Sequence, residues 1–244
     1  MNKTIKIADL PIEIHTQYDS LFHVEDYETD ETPVFSVCTT EQDVLAEQKK
    51  SMAECAYEGT PYPNYSPAQL ENAAVYRKIA EKLPEYDGFV FHGAAVAVGE
   101  NAYLFTARSG TGKTTHANLW LKNIDGSYIV NGDKPILRLF DGKPFVCGTP
   151  WMGKEGYGCS KNVPLAAVCL LNRGDENQLT KTTFKAVFPR LLGQVYRPEN
   201  GTLVVKTAKL LEQICQSVSM YELFCNREDD AALVSFEGMS DHKL

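Results

Sequence analysis

The chain has 244 residues, 43% of them hydrophobic and 23% charged, with a formal net charge of −8. That length supports one sizeable core, or a main domain with a smaller attachment. The composition excludes disorder, and the absence of any run of about 18 apolar residues excludes a membrane-spanning helix. The charge is unevenly placed. Residues 1–87 carry 17 acids and 7 bases, whereas residues 88–244 carry 15 acids and 17 bases. This contrast predicts a separate α+β segment over 1–87 and a main domain over 88–244 that is better suited to anions. No basic run with interleaved aromatics speaks for nucleic acid. The seven cysteines are scattered without a C-x-x-C pair, and the opening "MNKTIKIADLPIEIH" alternates polar and apolar residues where a signal peptide has an apolar core. Both features predict a reduced, cytoplasmic protein that uses neither membrane nor nucleic acid as a partner.

In chain order, "KTIKIADL", "IEIH", "LFHVEDY" and "VFSVC" are short alternating runs broken by turn residues, and predict a small sheet. Residues 41–56 lack breakers and favour a helix. A stronger helix follows in "SPAQLENAAVYRKIAEKL", where Ser66 can cap, Pro67 suits the first turn and Pro84 stops the run. From Gly88, "GFVFHGAAVAVGENAYLFTA" reads as strands joined by the "GEN" turn. After a helix over Thr114–Lys122 come further strands in "SYIVNGD", "PILRLF", "KPFVCGTP" and "PLAAVCLLNRGDEN". Helices over Phe184–Gly193 and Thr202–Gln216, the strand "YELFC" and a short polar tail complete the chain.

The most informative stretch is "LFTARSGTGKTTHANLW", from Leu104 to Trp120. It has the order strand, glycine-rich loop, Lys-Thr, helix, but Ala107 stands where G-x-x-x-x-G-K-[ST] begins with glycine. Alanine is tolerable there if its φ stays negative. In such a loop Ser109, Gly110, Thr111 and Gly112 turn their amides inward around phosphate oxygens. The helix adds the positive end of its dipole, Lys113 lies against the β- and γ-phosphates, and the Thr114 hydroxyl ligates Mg²⁺. Thr115 completes the nucleotide-binding set.

A nucleotide site also needs a carboxylate for the metal, and "SYIVNGDKPIL" supplies Asp133 at a strand end. Downstream, "CGTPWMGKEGYGCSKNVPL" gathers four glycines around Trp151, Lys154, Glu155 and Tyr157. Two readings stand. The loop caps a site, with Lys154 stabilising the transferring phosphoryl group and Glu155 serving as a second Mg²⁺ ligand or base; or it is a structural loop with Trp151 in the core. Arg173, in "LNRGDEN", is read as part of a hairpin turn in preference to a phosphate ligand.

The combination "FHGAAVAVGENAYLFTARSGTGKTT" with "YIVNGDKP" resembles the catalytic domain of bacterial HPr serine kinase/phosphorylase over residues 88–172. "SGTGKTT" is also similar to the kinase loop of ATP-dependent phosphoenolpyruvate carboxykinase. The resemblance implies a carboxykinase/HPr kinase-like α/β fold, with a mixed sheet, a P-loop and flanking helices. It implies an enzyme that uses ATP and Mg²⁺ to move the γ-phosphate to a hydroxyl of a protein, peptide or small molecule, and a homo-oligomeric tendency. It sets His92 beside the transferred phosphate, and Asp133 at Mg²⁺ or at the acceptor hydroxyl. The chain departs from that family in having Gly132 where a second acid precedes Asp133, Ala97 where the first strand has an acid, and Thr115 where a glutamate follows the loop. It also lacks the C-terminal signature associated with HPr contact, so HPr is not the expected substrate. These departures keep a catalytically silent nucleotide-binding regulator as the alternative. A carboxykinase-like enzyme is a minor one, since the chain is short for that family.

Overall fold

The computed structural model describes residues 1–240. They form two compact units, Met1–Lys82 and a second from Leu83 onward. Among the described residues, no helix is long and apolar enough to cross a membrane.

In the first unit, β1 (Asn2–Ile7) and β2 (Leu10–His15) form an antiparallel hairpin, and β3 (Phe35–Cys38) pairs parallel to β2. The hairpin turns on Ala8 and Asp9, both at positive φ (51° and 60°), the conformation that matches the twist of the flanking strands. The run "LFHVEDY" is not a strand: its Glu25–Tyr27 segment is a 3-10 turn that buries Val24 and Tyr27. Helix α1 (Glu41–Glu58) begins on a Thr40/Asp43 capping box. Helix α2 (Pro67–Lys82) begins on a reciprocal pair, Gln69 N–H to Ser66 Oγ at 3.3 Å and Ser66 N–H to Gln69 Oε1 at 2.9 Å.

One buried charge organises this unit. The Glu71 carboxylate, 0% exposed, accepts from Gln17 N–H at 2.6 Å, Tyr18 N–H at 2.8 Å and Thr39 Oγ1 at 2.6 Å. Burial raises its pKa, but these donors outweigh burial and hold it below the usual value. The carboxylate thereby ties the end of β2 and the end of β3 to α2.

The second unit is a mixed α/β layer structure. Its strands are β4 (Gly88–Val90), β5 (Ala94–Val98), β6 (Asn101–Thr106), β7 (Ser127–Asn131), β8 (Ile136–Phe140), β9 (Lys143–Cys147), β10 (Asn162–Arg173), β11 (Gln178–Lys181) and β12 (Ser219–Cys225). They form one sheet with the path β4-β8-β9-β10-β6-β5-β7, while β12 pairs with β10 and β11 with β12. β10 joins the two styles of pairing. Its first residues, Asn162–Pro164, run antiparallel to β9, and its later ones run parallel to β6 and β12.

Helices cover both faces because the strands are apolar on both sides. On β6, Tyr103 and Phe105 face a cluster built on α3 (Lys113–Asn123) and α6 (Asp230–Met239), where Trp120 packs against Phe105 and Phe236. Ala102 and Leu104 face a second cluster built on α4 (Phe184–Leu192) and α5 (Gly201–Ser217). The expected polar tail is largely α6, which buries Ala231, Ala232, Phe236 and Met239; residues 241–244 of that tail lie outside the described residues. "RGDEN" is not a hairpin turn between neighbours either, since β11 pairs with β12 instead of β10.

This topology brings chemistry-bearing residues to one edge. The parallel strands β6, β10 and β12 end there, β7 ends beside them, and antiparallel β5 begins there.

Candidate active site

The segment between β6 and α3 turns on Gly110 and Gly112, at φ +75° and +126°. A side chain at either position would be strained even though the space is open. Ala107 is not among the positive-φ residues, so a methyl group is tolerated where the motif begins with glycine. It also packs into the α3 cluster. Thr111 N–H to Arg108 O at 3.2 Å closes the turn. The first helical bond is His116 N–H to Gly112 O at 2.9 Å, so the first-turn amides of Lys113, Thr114 and Thr115 have no acceptor within the helix.

Lys113 folds back beneath this loop, its Nζ donating to Ala107 O at 3.2 Å. It is only 9% exposed. Burial pushes its pKa down, and the charge of Asp133 opposes that shift. An ammonium held in this way is desolvated, which strengthens its pull on any anion that reaches it.

Asp133 is positioned by a buried amide. The Asn131 Oδ1 accepts from Asp133 N–H at 2.9 Å and from Lys134 N–H at 2.7 Å. The Asn131 Nδ2 donates to Thr149 Oγ1 at 2.9 Å and to Thr149 O at 3.1 Å. Thr149 Oγ1 in turn donates to Lys134 O at 3.1 Å. Both side chains are fully buried. The glycine-rich loop closes over the same turn. A Cβ on Gly153 would stand 3.0 Å from Asp133 Cβ, and one on Gly132 would stand 3.4 Å from the carbonyl oxygens of Met152 and Tyr157.

His92 lies in the short link between β4 and β5. Its N–H donates to Gln194 O at 2.7 Å, and its carbonyl accepts from Thr106 Oγ1 at 3.0 Å. Its Nδ1 is 3.0 Å from Gln194 Oε1. An amide oxygen only accepts, so the ring proton sits on Nδ1. Nε2 faces Asp133 Oδ1 at 3.6 Å. Burial, then Lys113, pushes the His92 pKa below its ordinary value against the opposing influence of Asp133 and Gln194. The neutral ring presents its Nε2 lone pair beside the carboxylate.

A cleft of about 420 Å³ is lined by His92, Ser109, Gly110, Gly112, Lys113, Thr114, Thr115, Asp133, Lys154 and Glu155, together with Gly132, Gly153 and Arg227. The structure thus gathers nearly all the residues singled out in the sequence around one space. Among the nucleotide-site residues Thr111 is the exception: it lines two neighbouring cavities, one of which shares Gly112 and Thr115 with the cleft. Lys154 and Glu155 stand on the exposed rim, and Trp151 is half-buried. Arg173, read as a turn residue, instead reaches the loop and donates from Nη2 to Gly110 O at 2.6 Å. Gln194, Thr149 and Arg227 were missed because nothing local marks them; Asn131 lies in the quoted "VNGD", where only its turn chemistry signals a role.

Among the described residues, no group of three His, Cys, Asp or Glu side chains could hold a metal alone. Mg²⁺ characteristically takes one or two protein oxygens and completes its octahedron with phosphates and water. Thr114 Oγ1 and the Asp133 carboxylate, which line one cleft, fit that requirement.

No family model matches the chain, and no curated protein matches it. Among solved structures, it is similar to the HPr(Ser) kinase/phosphatase from Coxiella burnetii, at 13% identity and a TM-score of 0.29, over 50% of this chain and 88% of that one. A superposition that loose leaves the function to be argued from the cleft itself.

Proposed function

We propose that the chain is a phosphotransferase that uses ATP and Mg²⁺ to phosphorylate a hydroxyl. One observation carries this reading. The buried Lys113 beneath a loop with two positive-φ glycines, and the Asp133–His92 pair, line a single cleft. Cation and amides suit the donor phosphates, and adjacent proton acceptors suit a nucleophile.

In this mechanism, Ser109, Gly110, Gly112 and the first-turn amides of α3 hold the phosphate oxygens. Lys113 lies against the β- and γ-phosphates. Thr114 and Asp133 would hold Mg²⁺, which would neutralise charge on the phosphates. The acceptor oxygen forms a bond to the γ-phosphorus as the bond to the β,γ-bridging oxygen breaks. The His92 Nε2, or Asp133 where it does not hold the metal, receives the acceptor's proton, and ADP leaves. Lys154 on the rim offsets charge on the transferring group, and Glu155 is a further base or metal ligand. His92, whose pKa burial lowers, remains unprotonated at neutral pH, as this role requires.

Gly132 in place of a second acid favours an alternative, in which the chain binds nucleotide as a regulator without transfer. Labelled ATP separates the two readings. The phosphotransferase reading expects Mg²⁺-dependent hydrolysis or transfer that falls at least about 100-fold in Lys113→Ala and Asp133→Ala. Tight nucleotide binding without turnover in any acceptor mixture supports the regulator and overturns the enzyme. Absence of nucleotide binding overturns both.

A further inference from the structure

A second cavity, of about 790 Å³, opens where the ends of β6 and β10 meet the C-terminal turn of α4. Three arginines line it, Arg108, Arg173 and Arg190, with no aspartate or glutamate among its lining residues. The Arg108 side chain is exposed and makes no hydrogen bond or ion pair among the described residues. Arg173 is aimed by its bond to Gly110 O. Arg190 is shared with Glu222 at 2.5 Å and with Asn172 Oδ1 at 3.5 Å. One of the three guanidinium charges is thus balanced locally, and the cavity keeps an excess of positive charge. Its wall also carries Leu170, Leu171 and Phe224, the last 45% exposed.

This cavity shares structure with the reacting groups. Gln194 lines it, and the same side chain accepts the His92 Nδ1 proton. Thr106 lines it as well, and its hydroxyl holds the His92 carbonyl. A molecule seated here lies one side chain away from the histidine that faces Asp133.

We propose that this cavity binds an organic anion: the non-reacting end of the phosphoryl acceptor, a small molecule with a carboxylate or phosphate on an apolar body. Guanidinium forks pair with either group, and the apolar wall takes the body. The word acceptor rests on the phosphotransfer reading; the anion site itself does not.

Phenyl phosphate and phenylacetate are the probes, one for each anion, with benzyl alcohol as the uncharged control, titrated into the full chain by calorimetry. At least one anion is expected to bind saturably, and benzyl alcohol not to bind. Binding should persist in Lys113→Ala, persist under saturating Mg·ADP, and weaken about tenfold or more in Arg108→Gln and Arg190→Gln. The exposed Arg108 side chain makes no hydrogen bond or ion pair among the described residues, so its variant remains informative if Arg190→Gln, which also loses Glu222, does not fold. The site is overturned if neither anion binds, if Lys113→Ala or Mg·ADP abolishes binding, or if Arg108→Gln leaves it unchanged. A wild-type chain that binds the anion but no Mg·ADP would remove the phosphotransfer reading and leave the anion site standing.

Discussion

The Asn131 side chain donates to Thr149 Oγ1 at 2.9 Å, while its own oxygen receives the Asp133 amide at 2.9 Å. One fully buried amide therefore sets both the acidic turn and the loop that closes over it. Removing it leaves the Asp133 and Lys134 amides without their acceptor and the Thr149 carbonyl without its donor, while the Thr149 hydroxyl still donates to Lys134 O. Asn131→Ala is expected to lower stability by about 2–4 kcal/mol in urea unfolding. Thr149→Val removes only one member and should cost about 1–2 kcal/mol. Equal and negligible losses would show that the network is not structural.

Gly112 is at φ +126° and Gly110 at +75°. Alanine at either position is expected to cost about 1–3 kcal/mol from the backbone alone. Because the strain falls on the loop, nucleotide affinity measured by calorimetry should drop more in these variants than in Ala107→Gly, which the present backbone accommodates. A Gly112→Ala chain with unchanged stability and affinity would contradict the loop geometry.

The Glu71 carboxyl has a lower pKa folded than unfolded. Its contribution is therefore present above the unfolded value of about 4.3 and is lost as pH falls through the folded one. Denaturation of the isolated first unit is not required. In the full chain, a wild-type minus Glu71→Gln difference in unfolding free energy should be largest at neutral pH and shrink below about pH 4. A difference that grows on acidification would reverse the assignment.

His116 loses stability in the same direction, on acidification, but in a higher pH window and from burial alone. Burial holds its pKa at about 4, well below the unfolded value of about 6.5. Above about pH 6.5 the ring, whose Nε2 lies 3.1 Å from Ser235 Oγ, is neutral in both states and its ionisation adds no cost. Stability is lost between about pH 6.5 and 4, by roughly 3 kcal/mol in all. His116→Phe should flatten that part of the stability profile, whatever its effect on the absolute value. An unchanged slope would show that another group carries it.

What the sequence disclosed was local. The spacing from Lys113 back to Ser109, the apolar alternation of β6 and the Ser66–Pro67 start of α2 each depend on a few neighbouring residues, and each has a distinct physical signature. Asp133 stood out because a turn followed a strand directly. The rest depended on strand order. Arg173 reads as a turn residue until β12 is inserted between β10 and β11, which turns a local hairpin into a link across the sheet edge. Gln194 is 102 positions from His92 in the chain, and nothing in its own neighbourhood marks it. Helix α6 was hidden because its acidic start, "REDDAALVSFEGM", looks like a solvated tail until Phe236 and Met239 have a partner in α3.

β10 spans 12 residues, about 40 Å of extended chain. It is hydrogen-bonded to the antiparallel strand β9 at one end and to the loop-bearing strand β6 further along. Opening of either region frees one end of a strand whose other end is held by the second. Amides along β9 and along β6 should thus exchange with solvent in a single cooperative event, so that rigidity under the loop is drawn from strands that carry none of its chemistry.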